Sequence, residues 1–153
     1  MQWRAWKRPV RGLFLAGLVG LTVALASCGT KGRLPVYPVK GKVLVDGKPA
    51  KDAFVNFFPK DTGGREPYAP YAQTNENGEF TLSTYETGDG VPAGEYDVTI
   101  TWPVRYNPIS TLWEGDRLKG RYADRNKPPF HVTIDKKAQE LPPFELKSSG
   151  PGK

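Results

Sequence analysis

The sulfur of Cys28 is the most distinctive chemical group in the sequence, because Cys28 is the only cysteine among 153 residues. It directly follows Leu25, Ala26 and Ser27, at the end of the only long apolar run in the chain. Without a second thiol the chain cannot form an intramolecular disulfide, so the folded part must be stabilised by a hydrophobic core. The residues on either side of this thiol indicate where the protein resides.

The segment before Cys28 has the pattern of a secretory signal peptide. Its first eleven residues contain no acid and four basic side chains, Arg4, Lys7, Arg8 and Arg11. Residues 12–26 are apolar or small, and small residues precede the expected cleavage point between Ser27 and Cys28. The apolar run has about 15 residues, whereas a membrane-spanning helix needs about 20, so a permanent transmembrane anchor is the weaker interpretation. We therefore predict a signal peptide over residues 1–27.

The four residues Leu25-Ala26-Ser27-Cys28 resemble the lipobox of bacterial lipoproteins, in which a branched apolar residue and two small residues precede a cysteine. The resemblance implies a diacylglyceryl group on the Cys28 thiol, cleavage after Ser27, and acylation of the new amino group. Two or more acyl chains, such as palmitate, would then hold Cys28 stably in membrane lipid. The alternative is an ordinary signal peptide with an incidental cysteine. The signal peptide predicts an extracytoplasmic protein. An aspartate directly after the cysteine resembles an inner-membrane retention signal, and this chain has Gly29 there, so we expect the outer membrane, with the domain facing either the periplasm or the cell surface.

The net charge of +6 comes mostly from the signal peptide. The whole chain has 22 Lys plus Arg against 16 Asp plus Glu, and four of the basic residues precede Cys28. Processing would leave 18 against 16, or +2, so the basic composition does not indicate a nucleic-acid partner.

Residues 36–147 have the length and patterning of one small β domain. We expect residues 28–35 to form a flexible tether and residues 148–153 to form a disordered tail. Short runs with a period of two, separated by Gly, Pro and Asn turn signals, predict seven strands over residues 39–45, 53–58, 71–74, 79–84, 95–102, 130–134 and 141–146. In the fifth strand the alternation predicts two faces. The residues expected to face inward are Tyr96, Val98, Ile100 and Trp102, and those expected to face outward are Asp97, Thr99 and Thr101. This pattern predicts an all-β, antiparallel β-sandwich.

The order of these turns and core positions resembles the carboxypeptidase regulatory-like domain. The matching segments are 39–49 (Val-x-Gly-x-Val-x-Val-Asp-Gly-Lys-Pro), 53–57 (Ala-x-Val-x-Phe), 74–82, 92–100 and 118–124. The resemblance implies a seven-stranded transthyretin-like (prealbumin-like, Ig-like) sandwich that has no catalytic activity and serves in accessory, adhesive or carbohydrate-contacting roles. The zinc ligands of the peptidases belong to a separate catalytic domain that has no counterpart here. We therefore expect no catalytic residue, no metal and no cofactor other than the covalent lipid.

Few polar residues in the domain have a spacing that indicates chemistry. His131 is the only histidine and is expected on the outward face of its strand, without the partners that a metal site needs. Residues 75–79 partly resemble a calcium loop, but a β-turn is the favoured interpretation. A glycosidase needs two carboxylates across a cleft. Glu114, Asp116 and Asp124 keep such a hydrolase open as a third, least favoured hypothesis.

Five aromatic residues in or beside the two long loops are candidate binding residues: Tyr68, Tyr71, Tyr106, Trp113 and Tyr122. Rigid aromatic side chains on loops at one end of a sandwich are suited to binding sugars or proteins. The alternative, which we favour, is that they pack the loops onto the domain. The second loop, residues 103–129, is long for a compact domain and is therefore either functional or a packed flap.

These observations lead to one main hypothesis and one alternative. The main hypothesis is a non-enzymatic, membrane-anchored lipoprotein with a structural or adhesive role in the cell envelope. The alternative is a carbohydrate- or peptide-binding module that uses the aromatic loops, with an envelope glycan or protein as its partner.

Overall fold

A computed structural model of the chain describes residues 32–64 and 68–149. Within these two ranges the chain forms thirteen β-strands and no helix. The strands are β1 (Val36–Tyr37), β2 (Val39–Val45), β3 (Lys48–Pro49), β4 (Phe54–Pro59), β5 (Tyr71–Gln73), β6 (Glu79–Thr81), β7 (Val91–Pro92), β8 (Gly94–Thr101), β9 (Arg105–Tyr106), β10 (Trp113–Glu114), β11 (Phe130–Ile134), β12 (Gln139–Glu140) and β13 (Phe144–Leu146). The predicted signal peptide, with Ser27 and Cys28, lies outside the described residues.

The larger sheet has the order β11-β8-β4-β5, and all its neighbouring strands are antiparallel. Its longest strand, β8, buries Tyr96, Val98 and Ile100, as their alternation predicts. Directly opposite residues share a face, so Phe57 and Phe130, both paired with Val98, point to the same side. This register places one apolar face of the sheet against the core.

The second sheet is built around β2. Along one edge of β2 lie β6 and β3, both antiparallel to it, and along the other edge lie β12 and β13, both parallel to it. Pro142 and Pro143 separate β12 from β13, since proline has no N–H to continue the ladder. The two parallel pairs are a departure from the purely antiparallel arrangement that the turn signals predict.

The core lies between these two sheets and combines the inward residues of both. β2 contributes Val39, Val43 and Val45, and its polar Lys40 is exposed. Phe144 from β13 lies between Phe80 and Phe130, with ring centroids 6.1 Å and 4.9 Å away. The chain is therefore an all-β sandwich, which confirms the predicted fold class.

The 103–129 segment contacts the larger sheet on both faces, because Tyr106 packs on Phe54, which points away from the core, whereas Leu118 belongs to the core. Its Tyr122 carbonyl accepts a hydrogen bond from the Ile100 N–H (2.8 Å), and its Leu118 side chain is fully buried. Thr99 and Thr101 lie on the face that points away from the core, yet both are buried. Their predicted outward direction is correct, and the face on which they lie is covered.

Two short two-stranded ribbons complete the fold. β1 pairs with β7 at the entry to the domain, and β9 pairs with β10 within the 103–129 segment. Neither ribbon has enough residues to produce a recognisable period of two, so the sequence pattern does not predict them.

Candidate functional site

The predicted lipidation site, Cys28, and the cleavage position before it lie outside the described residues, so their geometry is not part of the structure. No helix in the described part of the chain is long and apolar enough to cross a membrane. The site residues that the structure does place are the five aromatic candidates and the polar groups considered with them.

Tyr106 and Trp113 form a cross-strand pair in the β9–β10 hairpin. Both rings lie against Phe54 of the larger sheet, with centroid distances of 5.2 Å for Tyr106 and 6.5 Å for Trp113. Trp113 nevertheless keeps half of its surface exposed. Packing against Phe54 therefore holds the hairpin on the sheet and leaves half of the Trp113 surface available to a ligand.

Tyr71 lies on the same face of the larger sheet as this hairpin. It pairs with Asn56, and Asn56 points to the same side as Phe54, two residues before it on β4. The Tyr71 side chain is 56% exposed. The fold therefore brings three of the five aromatic candidates, Tyr71, Tyr106 and Trp113, to one face.

Tyr68 has a packing role. Its hydroxyl lies 3.3 Å from the hydroxyl of Tyr96, which in turn donates to the carbonyl of Pro92 (2.8 Å). Burial raises the pKa of Tyr96 well above its usual value, and the contact with Tyr68 adds to this rise. Tyr68 itself is half-buried against the core.

Tyr122 also packs against the domain. Its ring stacks on Phe130, with centroids 6.1 Å apart and planes 7° apart, and its hydroxyl accepts the Lys147 N–H (2.9 Å). This residue therefore joins the 103–129 segment to β11 and to the end of β13. The packing interpretation describes Tyr68 and Tyr122, whereas Tyr71 and Trp113 keep substantial exposed surface.

His131 lies on the exposed face of β11, as its alternation predicts. Its Nδ1 is 2.6 Å from Oδ1 of Asp97, and the Lys60 ammonium is 3.8 Å from the same oxygen. Within residues 32–64 and 68–149, no group of three or more His, Cys, Asp or Glu side chains is arranged to hold a metal ion.

Residues 75–79 fold as a tight turn. The Asn75 carboxamide oxygen accepts the N–H groups of Asn77 (2.9 Å) and Glu79 (3.0 Å), so it is used locally. Gly78 has a φ of 72°, and a Cβ there would lie 2.5 Å from the carbonyl oxygen of Val43. Only glycine tolerates both the positive φ and the close approach of the Val43 carbonyl. Residues 75–79 therefore form a β-turn, which is the interpretation that the sequence favours.

The three carboxylates of the 103–129 segment have different roles. Glu114 pairs with Arg105 at 3.9 Å on the surface, and Asp124 accepts the N–H of Asn126 (2.9 Å). Asp116 accepts three backbone N–H groups, two through Oδ1 and one through Oδ2. It is a structural residue that organises the segment, a role that the spacing of the acids does not reveal.

The sequence patterns also missed Ile109 and Leu112, which are highly exposed at the end of the hairpin. The signal for them is weak because they are separated by Ser110 and Thr111 and match neither strand nor helix periodicity. Their position beside Trp113 extends the exposed apolar surface of the hairpin.

No protein-family model matches the chain, and no curated protein matches it. Among solved structures, the chain is similar to a 9R-lipoxygenase from Cyanothece PCC8801, with a TM-score of 0.39 and 10% sequence identity. The match covers 73% of this chain and 16% of the lipoxygenase. A similarity at this level carries no argument about function.

Proposed function

We propose that this chain is a lipid-anchored, extracytoplasmic protein, held in the membrane by acyl chains on Cys28. The observation that carries the proposal is the sequence Leu25-Ala26-Ser27-Cys28, placed at the end of a short apolar run with a basic start. The eight residue-to-residue steps from Cys28 to Val36, where the sandwich begins, can span at most about 26–29 Å. The anchored domain therefore works close to a bilayer, which we propose is the outer membrane.

The domain itself has a structural or adhesive role and no catalytic one in this proposal. The supporting evidence is the resemblance of its turns and core positions to carboxypeptidase regulatory-like domains, together with the β-sandwich fold. Because many functions share such folds, the location in the envelope is the stronger part of the proposal.

Intact-mass analysis of the protein purified from membranes tests the anchor directly. We expect a mass equal to residues 28–153 plus acyl chains, and we expect a Cys28→Ala variant to remain unprocessed. Ser27→Ala, which keeps a small residue before the cysteine, is the matched control and should be processed normally. A wild-type protein without lipid, found in the soluble fraction, would contradict the proposal.

A second candidate function is a carbohydrate- or peptide-binding module. The observation that favours it is the common sheet face of Tyr71, Tyr106 and Trp113, two of which are at least half exposed. Stacking on one aromatic ring contributes about 0.5–1.5 kcal/mol, which corresponds to roughly a 2- to 12-fold change in affinity. Saturable binding of an envelope glycan that weakens by about 2- to 12-fold in Trp113→Ala, and not in Val104→Ala on the same hairpin, would support this function. Binding that is unchanged in Trp113→Ala would exclude this face as the site.

A further inference from the structure

The β9–β10 hairpin, residues 104–114, carries most of the exposed large apolar side chains of the described part of the chain. Five such side chains are exposed in residues 32–64 and 68–149, and four of them belong to the hairpin: Val104, Ile109, Leu112 and Trp113. Ile109 is 95% exposed and Leu112 is 69% exposed. Single exposed apolar residues are ordinary, but a group of them on one element indicates a contact surface.

The backbone at the end of this hairpin is already hydrogen-bonded within the loop. The N–H of Asn107 donates to the carbonyl of Leu112 (2.9 Å). The Asn107 side-chain oxygen accepts the N–H groups of Ile109 (2.9 Å) and Ser110 (3.3 Å). A loop enters an apolar medium at low cost only when its backbone polar groups have internal partners. In this loop the N–H groups of Asn107, Ile109 and Ser110 have such partners before the loop meets any other surface.

The side chains of the hairpin also change character in order along its length. Ile109 and Leu112 lie at the end, the Tyr106–Trp113 pair comes next, the Arg105–Glu114 pair follows, and Val104 lies behind that pair at the base. A membrane interface has the same order, with acyl chains, then a level rich in Trp and Tyr, then charged headgroups. A protein-binding surface does not require this layering.

Positive charge is concentrated in the segment that contains the hairpin. Residues 103–129 have six basic side chains and three acidic ones, a net charge of +3, although the chain after Ser27 has a net charge of only +2. The remainder of the processed chain therefore has a net charge of −1. Arg117 is fixed beside the hairpin, because its guanidinium donates to the carbonyl groups of Pro103 (3.0 Å) and Val104 (3.4 Å). A net positive segment is complementary to anionic phospholipid headgroups.

We propose that the 104–114 hairpin inserts its apolar end into the interface of an anionic phospholipid bilayer. Ile109 and Leu112 contact acyl chains, Trp113 lies at the headgroup level, and Arg117 contacts lipid phosphate. This inference rests on the proposed lipid anchor, which brings the domain to the bilayer. The β1–β7 ribbon lies at the start of β8, and the hairpin follows the end of β8. The eight residues of β8 separate these two points by about 24 Å. The tether can span a similar distance, so it permits the domain to lie against the membrane.

Tryptophan quenching by acyl-brominated lipids tests this insertion. The lipidated protein is reconstituted in vesicles of phosphatidylethanolamine and phosphatidylglycerol whose acyl chains carry bromine. We expect the bromine to quench the fluorescence of the wild-type protein and to cause no quenching in Trp113→Phe. The double variant Ile109→Ser/Leu112→Ser should likewise show no quenching. Thr81→Ala changes an exposed side chain on β6 of the second sheet, outside the hairpin and its face, and should leave the quenching unchanged.

Two further measurements keep the test decisive. Replacing phosphatidylglycerol by phosphatidylcholine in the same wild-type experiment should reduce quenching, and this comparison does not depend on how any variant folds. Equal quenching in wild-type protein and in the Ile109/Leu112 double variant would overturn the proposal. A change of oligomeric state in that double variant, with no quenching in the wild type, would instead identify the hairpin as a contact between copies of the chain.

Failure of the anchor and failure of the hairpin give different results. If mass analysis finds no lipid on Cys28, quenching is measured against increasing vesicle concentration. Saturable quenching whose midpoint shifts about 100-fold in the Ile109/Leu112 double variant would then support the hairpin alone. An acylated protein without Trp113 quenching would keep the anchor and reject the insertion.

Discussion

Replacing Asp116 by alanine is expected to destabilise the domain by removing the acceptor that ties the 103–129 segment to β8. The carboxylate accepts the N–H groups of Trp102 (3.0 Å), Leu118 (3.0 Å) and Gly120 (2.7 Å). A hydrogen bond to a charged group contributes about 1.5–3 kcal/mol. Asp116 is only half-buried, so water can replace part of what is lost. We therefore expect Asp116→Ala to lower the free energy of unfolding by about 2–4 kcal/mol.

The measurement is equilibrium unfolding in urea, with the m-value used to verify that the same surface is exposed. Asp116→Asn keeps one side-chain oxygen and should lose about half as much. Asp124→Ala is the control, because this exposed carboxylate accepts only the neighbouring N–H of Asn126 and should cost less than about 1 kcal/mol. If Asp116→Ala were no more destabilising than Asp124→Ala, the assigned role of Asp116 would be wrong.

Three other substitutions test the packing of the domain. Leu118→Ala should cost about 2–5 kcal/mol in urea unfolding, because the side chain is fully buried; a cost below about 1 kcal/mol would show that it does not pack in the core. Gly78→Ala should cost about 2 kcal/mol or more, measured as a fall in the thermal midpoint, because the added Cβ meets the Val43 carbonyl at a positive φ. Ser148→Ala tests the pH dependence: the hydrogen bond from Ser148 lowers the pKa of Asp46 below its usual 3.8. Because the pKa of Asp46 is lowered in the folded state, its ionised form stabilises the fold above pH 3.8, and this stabilisation is lost as the pH falls through the folded-state pKa. The Ser148→Ala variant should therefore lose less stability below pH 3.8 than the wild type does. Equal acid sensitivity of the two proteins would contradict this role of Ser148.

The strands that the sequence predicts best are those with long alternating patterns. β2 and β11 match the expected 39–45 and 130–134 without change, because β11 alternates over its whole length and β2 alternates everywhere except at Leu44. The predicted strands over 79–84 and 141–146 are longer than the observed β6 and β13. At the start of β13 the prolines Pro142 and Pro143 remove ladder donors, and an apolar residue alone does not show where a ladder ends.

The candidate surface was only partly visible in the sequence. All five aromatic residues could be named from their loops, but their separation into two groups required the strand register. Tyr71 and Trp113 are far apart in the chain, and they share a face only because β4 brings Asn56 beside Tyr71 and Phe54 beneath the hairpin. Residue type alone cannot distinguish an aromatic ring used in packing from one left at the surface.

The sequence by itself determined the all-β class, the long strands and the expectation of a lipid anchor at Cys28, because these depend on local periodicity, turn residues and short motifs. Only the tertiary structure decided the parallel pairing of β2 with β12 and β13, the structural role of Asp116, and the grouping of exposed apolar side chains on the 104–114 hairpin. These features depend on contacts between residues far apart in the chain. Such contacts are set by how the two sheets and the 103–129 segment pack together, and no local pattern encodes that arrangement.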